Sequence, residues 1–129
     1  MPLDGLRVLV LEDEFLIALD VEQICREHGA ASVEIVRNLD EVEQATFTSE
    51  GFHAAILDVM LNGRPTTDFA RILMDHAIPF VFATGYIDAD NLFEDFGGVP
   101  VVGKPYSGRD IIDALAEVIS TAESRSGGV

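Results

Sequence analysis

Short apolar runs bounded by polar, Gly or Pro residues recur along the chain, at 6–11, 33–36, 54–57, 80–83 and 99–102. The clearest is Ala54-Ala55-Ile56-Leu57, which stops on the carboxylate of Asp58. Continuous apolar runs of this length, bounded by turn signals, are typical of strands buried on both faces of a parallel sheet. The pattern therefore predicts five strands.

Between and after these runs, apolar residues spaced three or four apart predict helices at 14–29, 38–49, 65–76, 88–96 and from 107 onward. The predicted buried stripe of the first helix comprises Ile17, Val21, Ile24 and His28, with Cys25 beside it, and that of the third comprises Phe69, Ile72 and Leu73. Gly29 is placed to end the first helix in a left-handed conformation. Asn38 with Glu41, and the stretch 107–110, are helix-start signals.

Strands that alternate with helices imply parallel strands joined by right-handed crossovers. We therefore predict an α/β fold, a doubly wound five-stranded parallel sheet with helices on both faces. The 129 residues suit one domain, preceded by a short leader at 1–5 and followed by a polar, flexible tail at 123–129. The periodicity leaves the strand order open.

The charge balance narrows the classes of partner. Asp and Glu number 23 against 8 Lys and Arg, for a formal net charge of −15. Such an acidic chain is a poor direct partner for nucleic acid or for an anionic membrane surface. Cys25 is the only cysteine and the N-terminus has no signal-peptide pattern, so we expect a reducing, cytoplasmic location.

Reactive side chains follow four of the predicted strands: Glu12-Asp13, Asp58, Thr84 and Lys104-Pro105. In open α/β sheets, ligands bind outside the carboxyl ends of the strands, so these groups should converge at one edge. Each alone has an ordinary explanation, such as a solvated turn or a helix cap. Lys104 is the only lysine of the chain, which favours a specific use for it.

Together, in this order and each at a strand end, these residues resemble the receiver domain of bacterial two-component response regulators. The resemblance covers 6–122. The stretch Phe82-Ala83-Thr84-Gly85-Tyr86 further resembles the Phe-Ala-Thr-Gly signature of a subgroup common among alphaproteobacterial single-domain receivers. The resemblance implies the CheY-like, flavodoxin-like strand order 2-1-3-4-5.

The resemblance implies that Asp58 is the phosphoacceptor. The carboxylates of Glu12, Asp13 and Asp58 would concentrate negative charge and so invite a divalent cation, for which Mg²⁺ is the suitable hard ion. The backbone carbonyl of Met60 is the further ligand that the family implies.

Five other positions have implied roles. Thr84 would donate a hydrogen bond to the phosphoryl group, and Lys104 would pair with its charge across a cis bond to Pro105. Receivers usually carry an aromatic switch residue three positions before the lysine, where this chain has Val101. We hypothesise that Tyr86 takes over this signalling role.

The resemblance implies a single-domain response regulator and not an enzyme, beyond catalysis of its own phosphorylation and dephosphorylation. Its phosphoryl donor would be a sensor histidine kinase or a histidine phosphotransfer protein. A downstream protein would read the fourth helix, fifth strand and fifth helix. Two alternatives stay open: a phosphorylation-independent docking module, and a receiver cut out of a hybrid histidine kinase.

Two other classes of protein, one of enzymes and one of cofactor-binding proteins, fit the sequence less well. A phosphatase of the haloacid dehalogenase type needs a second acid where Met60 stands. A flavodoxin-like cofactor site needs a phosphate-binding loop where Glu12-Asp13-Glu14 would repel phosphate.

Overall fold

The structure is a computed structural model and describes residues 1–44, 51–85, 96–103 and 107–127. Within these ranges the strands are β1 Arg7–Leu11, β2 Ser32–Val36, β3 Ala54–Asp58, β4 Met60–Leu61, β5 Arg64–Pro65, β6 Phe80–Thr84 and β7 Val101–Gly103. The helices are α1 Phe15–Glu27, α2 Leu39–Gln44, α3 Thr67–Asp75 and α4 Gly108–Gly127. Apart from Phe96, the helix predicted at 88–96 lies outside the described residues, as does the end of the helix predicted at 38–49.

The main sheet has five parallel strands in the order β2-β1-β3-β6-β7. Because β6 and β7 are the fourth and fifth strands of the predicted series, this is the flavodoxin-like order 2-1-3-4-5. The predicted fold class is confirmed. The sequence did not lead us to expect β4 and β5, which form a separate antiparallel pair directly after β3.

The sheet separates two hydrophobic layers. Successive residues of β1 face opposite sides, with Val8 and Val10 toward α1 and α4, and Leu9 and Leu11 toward α3. The first layer is mainly aliphatic. The second contains the aromatic rings of Phe80, Phe82 and Phe96, with centroids 5.3–6.3 Å apart in edge-to-face pairs.

The buried faces of two helices are rotated from the predicted stripes. On α1 the buried residues are Ala18, Val21 and Cys25, and on α3 they are Phe69, Ala70 and Leu73. Ile72, predicted to be buried, is 40% exposed. The prediction counted no alanine, whereas each buried face includes one, Ala18 on α1 and Ala70 on α3.

The N-terminal segment packs against the domain although it forms no helix or strand. The Leu3 side chain is fully buried, and the backbone N–H groups of Leu3 and Gly5 donate to the carbonyls of His28 and Gly29. Gly29 has φ 104°, and a Cβ there would overlap Asp4. The prediction that Gly29 ends the first helix in a left-handed conformation is therefore confirmed.

The last helix reaches Gly127, so its backbone is helical over part of the predicted tail. Glu, Ser and Arg in this stretch are compatible with a helix, which explains the longer element. The division into 1–5, 6–122 and 123–129 stays a prediction. Among the described helices, none is long and apolar enough to cross a membrane.

Candidate functional site

Three carboxylates meet at the carboxyl edge of the sheet. Glu12 follows β1 and is 3% exposed, Asp58 ends β3 and is 9% exposed, and Asp13 is half-buried. One ligand oxygen from each lies within 4.8 Å of the others. The structure thus brings together the three acids that the sequence predicts as metal ligands.

The register of the sheet explains this convergence. β1 and β3 are parallel neighbours with Leu11 opposite Leu57, so the next residue of each strand, Glu12 and Asp58, reaches the same edge. The backbone N–H of Glu12 continues the pairing with β2 by donating to the Val36 carbonyl at 3.1 Å. Rigid strands, and not a loop, therefore position two of the three carboxylates.

The donor set suits a hard divalent cation. Three carboxylates this close repel one another, and a doubly charged ion with oxygen ligands relieves that repulsion. The Met60 backbone N–H donates to Asp58 Oδ1 at 3.3 Å, so the backbone at Met60 lies beside the Asp58 carboxylate. The proposed coordination by the Met60 carbonyl stays a prediction.

Thr66, which the sequence did not single out, fixes the backbone at Asp58. Its side chain is fully buried, and its hydroxyl donates to the carbonyls of Asp58 at 2.6 Å and of Val59 at 3.2 Å. Its own N–H donates to the Val59 carbonyl at 2.9 Å. No local signal identifies this role, because the sequence Thr-Thr-Asp reads as an ordinary helix start.

Asn62 is a second residue that sequence reasoning missed. Its backbone N–H donates to Asp13 Oδ2 at 3.0 Å. The dipeptide Asn62-Gly63 is a strong hairpin signal and could have revealed the turn. It could not have revealed the contact, because the bonded residues are 49 positions apart in sequence.

The remaining predicted site residues divide into two groups. Thr84 ends β6 beside β3 and is buried, and Val101 begins β7 opposite Phe82, half-buried against the aromatic layer. Tyr86, Lys104 and Pro105 lie outside the described residues. Their roles stay predictions.

No protein-family model matches the chain. Over 120 residues it is 32% identical to the transcriptional regulatory protein PdtaR of Mycobacterium tuberculosis, an alignment that covers 88% of this chain and 57% of that protein. The chain thus spans little more than half the length of this curated relative.

Solved structures of receiver domains are similar over nearly the whole chain. A CheY-like response regulator receiver domain protein from Methanospirillum hungatei has a TM-score of 0.78 at 24% identity, covering 95% of this chain and 99% of that one. A receiver protein from Sinorhizobium medicae has a TM-score of 0.79 at 17% identity, with coverages of 92% and 97%. The non-phosphorylated HemR receiver domain of Leptospira biflexa has a TM-score of 0.77 at 22% identity, with coverages of 90% and 95%.

At these identities the likeness establishes the fold. The chain has the fold of response-regulator receiver domains. The finer resemblance to the alphaproteobacterial subgroup stays a prediction.

Proposed function

We propose that the protein is a response regulator that accepts a phosphoryl group on Asp58 with Mg²⁺ and signals through the resulting change of surface. The observation that carries this proposal is the cluster of Glu12, Asp13 and Asp58 at the carboxyl edge of a receiver fold. Three clustered acids alone are common, but here they lie at or just beyond the carboxyl ends of neighbouring strands in the fold that receivers share.

In the proposed reaction a carboxylate oxygen of Asp58 forms a bond to phosphorus. The bond from phosphorus to the donor breaks, and its electron pair leaves with the imidazole nitrogen of a phosphohistidine or with the acetate of acetyl phosphate. Bound Mg²⁺ would neutralise charge between two anionic reactants. We propose no other catalytic activity.

The surrounding residues would hold the reactants in place. Glu12 and Asp13, with Asp58 and the carbonyl of Met60, would be the protein ligands of the cation. The Thr84 hydroxyl, buried at the end of β6, would donate to a phosphoryl oxygen. Lys104 would pair with the phosphoryl charge.

An exposed apolar patch on α1 supports a protein as the phosphoryl donor. Phe15, Leu16 and Leu19 are 56%, 75% and 40% exposed, and the patch begins two residues after Asp13. Apolar side chains clustered beside an acidic site suit contact with a protein partner, and we propose a sensor histidine kinase or a phosphotransfer protein. Leu16→Ala should slow transfer from such a donor and leave labelling by acetyl phosphate unchanged.

For the output, we propose that a downstream protein in the cytoplasm reads the surface around β7, α4 and the segment between β6 and β7. Because Val101 occupies the usual aromatic position, Tyr86 is our candidate for the residue that changes exposure. Tyr86→Ala should then abolish a partner's preference for the phosphorylated form. An unchanged preference would remove Tyr86 from the mechanism.

The decisive experiment is intact mass after incubation with acetyl phosphate, with and without Mg²⁺. Wild type should gain one phosphoryl group only when Mg²⁺ is present, and Asp58→Asn should gain none. Asp68→Asn is the matched control, because the Asp68 side chain is 97% exposed on α3, and it should label like wild type. If folded wild type binds Mg²⁺ but gains no phosphoryl group, the phosphorylation-independent docking module becomes the better account.

A further inference from the structure

The segment after β3 is a tight two-residue hairpin. β4 and β5 pair with Met60 opposite Pro65 and Leu61 opposite Arg64, which leaves Asn62 and Gly63 as the turn. Both have positive φ, 51° and 78°, as in a type I′ turn. Asn tolerates this conformation better than other residues with a side chain, so its presence is explained in part by the turn itself.

The side chain of Asn62 does more than permit the turn. Its amide Nδ2 donates to the Arg37 backbone carbonyl at 2.6 Å, and Arg37 lies between β2 and α2. Its backbone N–H donates to Asp13 Oδ2 at 3.0 Å. One residue therefore bonds the loop after β2 and the loop after β1 at the same time.

These two bonds have distinct consequences for Asp13. Asp58 ends β3, and Glu12 continues the pairing of β1 with β2 through its backbone N–H, whereas Asp13 lies one residue further on, so the sheet does not fix its carboxylate. The N–H of Asn62 bonds one carboxylate oxygen and restricts the rotation of the group. The amide bond to Arg37 holds the turn where that N–H can reach.

We propose that Asn62 is the positioning residue for Asp13: by anchoring the hairpin to the loop after β2, it orients the Asp13 carboxylate for the divalent cation. The inference rests on the metal site of the proposed function. Groups that bond a metal-ligating side chain and fix its orientation typically affect metal affinity by about 10- to 100-fold.

Two variants separate the side-chain anchor from the turn conformation. Asn62→Gly keeps the backbone N–H and adopts positive φ freely, but removes the amide that bonds Arg37. Asn62→Ala removes the amide and also disfavours positive φ. If Asn62 acts as an anchor, both variants should bind Mg²⁺ about tenfold more weakly in calorimetric titration without any phosphodonor. If it serves only the turn, Asn62→Gly should bind like wild type, and the proposal fails.

The control for general destabilisation is Ala116→Gly. Ala116 lies inside α4 and belongs neither to the hairpin nor to the loops that Asn62 bonds. This substitution should lower thermal stability while leaving Mg²⁺ affinity within about twofold of wild type. A tenfold loss of affinity in this control would attribute the effect to general destabilisation and overturn the proposal.

A double-mutant cycle with Asp13→Ala completes the test. Once Asp13 is absent, Asn62→Gly should weaken Mg²⁺ binding no further. Multiplicative effects would mean that the two residues act independently, which contradicts the proposal. If wild type binds no Mg²⁺, both this inference and the proposed metal site are wrong. If wild type is phosphorylated normally and Asn62→Gly has the Mg²⁺ affinity of wild type, only this inference is wrong.

Discussion

The two ends of the parallel sheet are built from different chemistry. Among the described residues, every buried polar or charged side chain lies at or near the carboxyl ends of the strands: Glu12, Asp58, Thr66 and Thr84. At the amino ends of β6 and β7, a cavity of about 420 Å³ is lined mostly by apolar residues, among them Ile78, Phe80, Phe96 and Val99.

The two ends of the sheet therefore contribute differently to stability and to function. Burying apolar groups stabilises the fold, whereas burying carboxylates costs free energy unless a cation or hydrogen bonds compensate. Substitutions in the apolar body, by which we mean the two hydrophobic layers on either side of the sheet, should therefore lower the free energy of unfolding strongly. Substitutions of the acids should change function while stability stays level or rises.

The largest expected effect is in the apolar body. Phe82→Ala should lower the free energy of unfolding by about 3 to 5 kcal/mol, because the ring is fully buried against Phe80 and Phe96. Urea unfolding followed by circular dichroism measures this. Phe15→Ala, at a position that is 56% exposed, should cost less than about 1 kcal/mol. Equal costs at the two positions would mean that the aromatic layer is not the source of stability.

The buried thiol of Cys25 should make the stability of the protein depend on pH, and it lies in the apolar body and not among the carboxylates at the sheet edge. Burial raises the pKa of its thiol from 9.0 to about 11. As the pH rises from 9, the unfolded chain releases the thiol proton before the folded chain does, so stability falls by about 2 to 3 kcal/mol by pH 11. Below pH 9 this contribution is fully present.

Cys25→Ala isolates this effect from other groups that titrate at high pH. The difference in unfolding free energy between wild type and variant should shrink steadily between pH 9 and 11 in urea titrations. A difference that stays constant across this range would show that the thiol does not titrate between the two states.

The sequence predicted the main sheet well because apolar runs and the residues at strand ends are local features. The same features identified Glu12, Asp13 and Asp58. Helix faces were predicted less accurately, since Ala18 and Ala70 carry little hydrophobic signal yet are buried. Strand order could not follow from periodicity and came from the family resemblance.

Thr66 and Asn62 show why the rest of the site was not predicted. Both act on backbone groups or carboxylates that only the folded chain brings near. The Thr66 hydroxyl bonds a carbonyl eight residues earlier, and the Asn62 amide bonds one 25 residues earlier. Neither contact leaves a pattern in the sequence.

The Thr66 hydroxyl bond therefore offers a test of stability at the carboxyl ends of the strands. Thr66→Val keeps the shape but removes the donor to the Asp58 carbonyl, and should cost about 1 to 3 kcal/mol of unfolding free energy. Thr121→Val is the matched control, because the Thr121 hydroxyl also donates to a backbone carbonyl but is exposed. That control should change stability by less than about 0.5 kcal/mol. A Thr66 variant as stable as its control would show that this buried bond adds nothing.

Asp58→Asn should have the opposite sign. Without divalent cations the variant should be more stable by about 1 kcal/mol, because one of three neighbouring negative charges is removed. Asn retains an oxygen that can accept from the Met60 N–H. Saturating Mg²⁺ should stabilise wild type and not the variant in thermal unfolding, whereas Asp68→Asn should respond like wild type. A loss of stability in Asp58→Asn would contradict the view that the acidic edge is destabilised by its own charge.

The smallest effect concerns the amino end, where Ala77 borders the cavity and ends α3 with φ 56°. The N–H of Ile78 donates to the Leu73 carbonyl at 2.9 Å across this left-handed residue. Ala77→Gly should raise the free energy of unfolding by about 0.5 to 1 kcal/mol, since glycine adopts this conformation without strain. Ala116→Gly, inside α4, should lower it by about 1 kcal/mol. Labelling by acetyl phosphate should be unchanged in both, because neither lies at the carboxyl edge. Altered labelling in Ala77→Gly would mean that the two ends of the sheet are coupled.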